Sequence, residues 1–313
     1  MPRDPRQEAV DRLGGRYEAR VLEPSPPAVA EEPWFADDPT ERGAVPAGRQ
    51  VVSPVTTGDV LWQELAEADP ALAEWCSPRW LASFKPLEPA PPTLGVTRAA
   101  LHRLAERVIS PVRQRANGKI GLRWTLGGFG TPFFGADAQI RVDGGELVIA
   151  TSGEERRHPL STIRDAAAAI GFDLSGADEA QAAGPLEVDG TASRFVGDWF
   201  GFTTSVLEQL RAEAQPEWEP SRVQLWPEHF DIGLETGNEQ AEQRATLGGS
   251  PGDGAHPEPY LYVAPWSARP EGELWQARGF PGAELRYADL LAAADQRAAA
   301  FEFFRVRLAA LNV

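Results

Sequence analysis

Between Thr97 and Val112 the apolar residues Leu101, Leu104, Val108 and Val112 recur at helical spacing. Pro111 should bend or end that helix, because its ring removes an N–H and crowds the carbonyl four residues back. From Lys119 the period drops to two. Ile120, Leu122, Trp124 and Leu126 alternate, which predicts a strand over 119–126 with one buried face. The stretch GGFGTP then reads as a glycine-rich turn. Residues 138–142 and 146–151 flank Asp143-Gly144-Gly145, the composition of a tight hairpin. Ser161 is placed to cap a helix ending at Gly171, whose missing Cβ suits a left-handed C-terminal position.

A similar order follows. A helix over 192–213 would bury Trp199, Val206, Leu207 and Leu210. Strands are expected near 222–235, 242–248 and 259–266. A last helix from about Ala288 to Asn312 carries Leu290, Leu291, Ala294, Phe301, Phe304, Leu308 and Leu311 on one face. Each half thus reads helix, three strands, helix, and both contain Thr-Leu-Gly-Gly, at 125–128 and 246–249. The expectation is an α+β fold of mainly antiparallel sheets bracketed by helices, with an internal duplication over 97–175 and 190–313 as one reading of the pattern.

Ahead of that body the pattern weakens. Residues 1–58 are rich in Pro, Glu, Asp and Ala and read as an extended or disordered arm. Trp34 and Phe35 interrupt it; such a pair either docks on the body or binds a partner. Asp59 suits the start of a helix carrying Leu61, Leu65, Leu72 and Trp75, broken at Pro70. Four prolines in KPLEPAPPTLG then mark a linker, so 59–96 reads as a short helical segment and its tether.

Composition narrows the class. The 313 residues carry a net charge of −16, which disfavours nucleic acid as a partner. Cys76 is the only cysteine, so neither an intramolecular disulfide nor a cysteine-based zinc site is available. The start lacks an apolar signal core, and no apolar run reaches the roughly 20 residues of a membrane helix. Those features suggest a soluble cytoplasmic protein with no membrane partner. Lys85 and Lys119 are the only lysines against abundant Arg, Ala, Gly and Pro, the composition of a GC-rich bacterial genome.

Three blocks stand out: Leu225-Trp226-Pro227-Glu228-His229-Phe230-Asp231, Ser250-Pro251-Gly252-Asp253, and Pro259-Tyr260-Leu261-Tyr262. Together with the G-K-I-G-L strand, they resemble an uncharacterised bacterial domain family over roughly residues 97–310. That family is a domain of unknown function, so the resemblance implies one structural unit and no reaction, ligand or cofactor.

Within WPEHFDIGL, Phe230, Ile232 and Leu234 share one parity and should face a core. His229 and Asp231 share the other. Upstream, Val223 and Leu225 put apolar residues on the odd parity, so the buried face switches near Pro227, which cannot donate to a ladder. A bulge or break there would present His229 and Asp231 together. Several chemistries suit the pair. The carboxylate can orient the imidazole for general-base work, as in a hydrolase acting on a small molecule. The two can ligate Zn, Mn or Fe with His256, Asp253 or Glu258. A Ser250–His229–Asp231 triad can be drawn, though SPGDG lacks a nucleophile elbow. The plain alternative is hydrogen bonding within the sheet. Trp226 or Tyr260 should wall the concavity, with the 250–258 loop across its mouth.

A second region draws notice because its charge opposes the whole. Residues 97–123 hold seven basic side chains against Glu106, a local +6. Either these form a solvated, paired helix face, or Arg123 and Lys119 work with the 127–131 turn, including Gly128, to hold an anion on exposed backbone N–H groups. Tyr260, Tyr262 and Trp266 share a strand face and either pack across it or line a pocket. Two function classes remain: a non-catalytic protein with a small-molecule or anion pocket, and a metal-dependent or His/Asp enzyme.

Overall fold

The computed structural model describes residues 85–311 apart from 126, 133–137, 152–153, 175–181 and 268–269, together with three short strands nearer the N-terminus. Those strands, β1 (Pro33–Phe35), β2 (Gln50–Ser53) and β3 (Val60–Leu61), pair in parallel in that order. Leu61, read as the start of a helical stripe, therefore belongs to a strand. Within the expected 1–58 arm, residues 33–35, with Trp34 and Phe35, and 50–53 are thus paired strands; the rest of that arm and of the helix through Trp75 lies outside the described residues. The proline-rich tether is docked. The Gln296 amide bonds both the N–H and the carbonyl of Leu87, at 2.8 and 3.1 Å, and the Tyr287 hydroxyl donates to the Glu88 carbonyl at 2.6 Å.

The first helix does not end at Pro111. Helix α1 (Leu94–Leu104) runs into a π-turn (Ala105–Ile109) and then α2 (Ser110–Asn117). The Ser110 N–H bonds the Ala105 carbonyl five residues back. That wider turn makes room just where the proline ring would crowd an α-helical carbonyl.

Two five-stranded antiparallel meanders follow the same plan. The first comprises β4 (Arg123–Thr125), β5 (Gly128–Gly130), β6 (Ala138–Asp143), β7 (Glu146–Thr151) and β8 (Glu154–Pro159), and leads to α3 (Ile163–Ile170). The second starts after α4 (Gly190–Glu213) and comprises β9 (Gln224–Trp226), β10 (Asp231–Thr236), β11 (Ala245–Ser250), β12 (Tyr260–Pro265) and β13 (Ala283–Arg286). Helices α5 (Tyr287–Ala292) and α6 (Gln296–Leu311) close the chain. Reciprocal 2.8 Å bonds between Leu122 and Leu225 join the facing edges of the two sheets.

The fold is α+β and its two five-stranded sheets are antiparallel, with helix, five strands and helix in each half where three strands were expected. The two Thr-Leu-Gly-Gly stretches are not equivalent: 125–128 spans the β4–β5 turn, whereas 246–249 lies inside β11. The cap of α3 is also one residue later than expected. Thr162 accepts the Asp165 N–H, while Ser161 bonds the Asp165 carboxylate.

Helix α4 lies across both sheets and supplies the centre of the core, with Trp199, Phe200, Phe202, Val206 and Leu207 fully buried. Its close approach needs small residues. A Cβ on Gly197 would sit 2.7 Å from the Cα of Gly128, and one on Gly249 would sit 2.6 Å from the Thr203 hydroxyl. The glycines of GGFG and TLGG thus allow a helix to rest on strand backbone.

Candidate functional site

Register decides what faces outward on the second sheet. Leu225 pairs with Ile232, and Leu234 with Leu247, on the core side. The alternate pairs are Trp226 with Asp231, Glu235 with Thr246, Gly248 with Tyr262 and Ser250 with Tyr260. These share the opposite face and floor a cavity of about 960 Å³. The π-turn and α2 form one wall through Glu106, Ser110, Pro111 and Gln114, and the 227–230 turn forms another. Phe280 and Asp253 complete it.

The turn that presents His229 and Asp231 is a four-residue link between β9 and β10, not a bulge within one strand. Its last residue, Phe230, has φ of +54°, a left-handed conformation that costs a bulky residue energy. Packing imposes it. The ring is 2% exposed, edge-on to Phe129 and Phe200 at 5.1 and 5.3 Å, and stacked on His102 at 5.3 Å. Anchoring Phe230 inward turns His229 outward to the rim and leaves Asp231 on the cavity floor. The expected parity holds: Phe230, Ile232 and Leu234 are all buried.

Asp231 is only 8% exposed. Its side-chain partner is Tyr262, whose hydroxyl crosses β11 to donate to Oδ2. Gly248 makes that crossing feasible, since a Cβ there would lie 2.5 Å from the tyrosine Cζ. The other oxygen, Oδ1, is buried and has no hydrogen-bond partner among the described residues. Burial pushes the Asp231 carboxyl above its ordinary pKa, against the Tyr262 hydrogen bond and the charges of His229 and His102. Burial and the neighbouring carboxylate push Tyr262 well above the usual phenol range.

A second polar chain borders the cavity. Tyr260 donates to Asp253 at 3.0 Å, His256 Nδ1 lies 3.2 Å from the same carboxylate, and His256 Nε2 lies 3.3 Å from Glu284. Burial pushes Asp253 up, but the N–H groups of His256 and Ala255 and the Tyr260 hydroxyl outweigh it and hold its pKa down. The loop is fixed from α1. Arg98 donates to the carbonyls of Pro251, Asp253 and Pro257.

Trp226, His229, Asp231, Asp253 and Tyr260 therefore meet at one cavity, and His256 adjoins it through Asp253 and Tyr260. The WPEHFD turn, SPGD loop and PYLY strand all contribute to it. Other expectations differ from the structure. Of the anticipated 127–131 turn, residues 128–130 are strand β5, buried and paired to β4 and β6, which takes their backbone away from an anion. Gly128 packs against α4, and Arg123 donates to the Trp124 carbonyl at 2.8 Å. Arg98 and Arg113 likewise bond loop carbonyls, and Arg115 lies over Phe172, so these members of the basic run serve packing.

The Ser250 hydroxyl exchanges hydrogen bonds with Gly252, at 3.1 and 3.3 Å, and Asp231 bonds Tyr262 rather than His229, so the drawn triad is not assembled. No group of three His, Cys, Asp or Glu side chains among the described residues is arranged to hold a metal ion, and His256 instead contacts Asp253 and Glu284. Sequence reasoning missed Glu106, Arg98 and Glu284. It grouped Tyr262 with Tyr260 but could not place it over Asp231 without the register. Among the described residues no helix is long and apolar enough to cross a membrane. No protein-family model, curated protein or solved structure matches the chain.

Proposed function

We propose that the protein binds a small molecule in the cavity over the outer face of the second sheet. The observation that carries this reading is Asp231: a carboxyl buried at a cavity floor with one oxygen unpartnered. An unsatisfied buried polar atom costs about 1–3 kcal/mol, and a ligand that bonds it recovers that cost. The cavity is at the large end of the range for small-molecule sites, and aromatic walls with a few placed polar groups are their usual lining.

Ala264 lies on the cavity face of β12, away from the core. Replacing it with tryptophan should fill the cavity and leave folding intact. A small-molecule library assayed by thermal shift should give compounds that stabilise the natural protein and not Ala264→Trp. Equal stabilisation of both would place binding elsewhere and sink the reading.

A second reading is enzymatic, with Asp231 as general acid or base, Tyr262 holding it and His229 at the rim. The observation in its favour is the burial-raised pKa of Asp231, which moves a carboxyl toward the range where it exchanges protons at working pH. Under this reading Asp231→Asn abolishes turnover of a bound compound while binding persists.

A further inference from the structure

Among the described residues lining the cavity there are five carboxylates, on Glu106, Glu228, Asp231, Glu235 and Asp253, and no lysine or arginine. Acidic residues on a surface need no ligand to explain them. Asp231 is different, because it is buried and its Oδ1 has no hydrogen-bond partner among the described residues. The missing partner must be a donor if the carboxyl is ionised. The rest of the wall matches a particular kind of donor. Trp226, Tyr260, Tyr262 and Phe280 all line the same space, and the faces of aromatic rings attract cations.

We propose that the ligand of this cavity is an organic cation, an ammonium group on an apolar body, which pairs with the Asp231 carboxylate on the cavity floor while the aromatic walls hold the rest. This rests on the reading of the cavity as a small-molecule site and adds the ligand class. A hydrogen-bonding ammonium fits better than a quaternary one, which has no N–H for the carboxylate. A bare divalent ion fits worse, since the described donors do not gather into a coordinating set. Anions meet five carboxylates and, among the described lining residues, no basic side chain but His229 at the rim.

Three probes of similar size separate the possibilities: 2-phenylethylammonium, 2-phenylethanol and 3-phenylpropanoate, each titrated calorimetrically into the full chain. The ammonium should bind on the order of ten- to a hundredfold more tightly than the alcohol, the worth of a charge-assisted hydrogen bond, and the carboxylate most weakly. Asp231→Asn should weaken the ammonium far more than the alcohol and so erase most of its advantage. If the alcohol or the carboxylate binds as tightly as the ammonium, or the ammonium shows no binding at millimolar concentration, the cation class is overturned. That comparison is made on the natural protein, so it stands even if the variant folds poorly. Ala264→Trp distinguishes the two failures. Probes that all bind equally and are all blocked by it leave the pocket standing without the cation, whereas probes indifferent to it remove the pocket too.

Discussion

The outer faces of the two sheets are built on the same topology and use their carboxylates in opposite ways. On the first sheet, Asp143, Glu146 and Glu155 meet Arg141 and Arg157 at 2.8–3.5 Å, in a partly exposed network beside solvent. On the second, Asp231 meets a tyrosine hydroxyl and has an oxygen to spare, beneath a cavity lined with further acids. Where charge is balanced by its own neighbours, a face is finished by folding alone. On the second face burial raises the cost of charge and, among the described cavity residues, no lysine or arginine offsets it; the proposed organic cation would.

The deepest difference lies in how each face is anchored, and Phe230→Ala should expose it with the largest effect. The second face depends on a turn held by one buried ring in a left-handed conformation. Losing that ring should cost about 3–5 kcal/mol in urea denaturation, as for other buried phenylalanines. Phe230→Gly should be no worse than alanine, because glycine adopts positive φ without strain. A loss below about 1 kcal/mol would mean that the turn is not held from the core.

Next in size is a pH effect confined to the second face. Burial raises the folded-state pKa of Asp231 above its unfolded value. Below the ordinary carboxylate range the group is neutral in both states and costs nothing. As pH rises from there through the folded pKa, the unfolded chain gives up the proton more readily, and stability is lost. His229 and His102 oppose this when protonated, and Tyr262 opposes it throughout. Asp231→Asn keeps an acceptor for Tyr262 and removes the titration. Its stability relative to the natural protein should therefore climb with pH, by about 1.4 kcal/mol for each unit of pKa elevation, and then level off. A difference that stays flat from acid to neutral pH would show that Asp231 is not raised.

Much of the second face was legible in sequence. The parity of Ile232 and Leu234 placed Asp231 on the outer face because strand alternation is strict, whereas His229 reaches the same cavity from the turn that Phe230 anchors. The glycines misled. GGFG suggested an exposed turn, yet its lack of side chains serves the approach of α4, an event more than sixty residues away in sequence. Length was the other limit. Strand β5 has three residues, too few to show a period, and the charged stretch EERRHP, which forms the exposed edge strand β8, has no apolar face to display. The partnership of Asp231 with Tyr262 spans two strand pairings and belongs to register, which no local pattern encodes.

The smallest effect should come from the first face, and its smallness is what the comparison requires. Arg157 reaches Glu146 at 3.0 Å, Asp143 at 3.1 Å and Glu155 at 3.5 Å, and its side chain is 41% exposed. Its hydrogen bonds to Glu146 and Asp143 raise its pKa further, so it stays charged at any working pH. Three partners suggest a strong contribution, but water competes for each of them and salt screens them all. Arg157→Ala should cost only about 0.2–1 kcal/mol at low ionic strength, and most of that should vanish near 1 M salt. Arg141 remains to hold Asp143 and Glu155, which limits the repulsion left behind. A loss above about 2 kcal/mol that persists in high salt would make this network a structural element in its own right. The contrast between a face completed by folding and a face proposed to await a ligand would then fail on its quieter side.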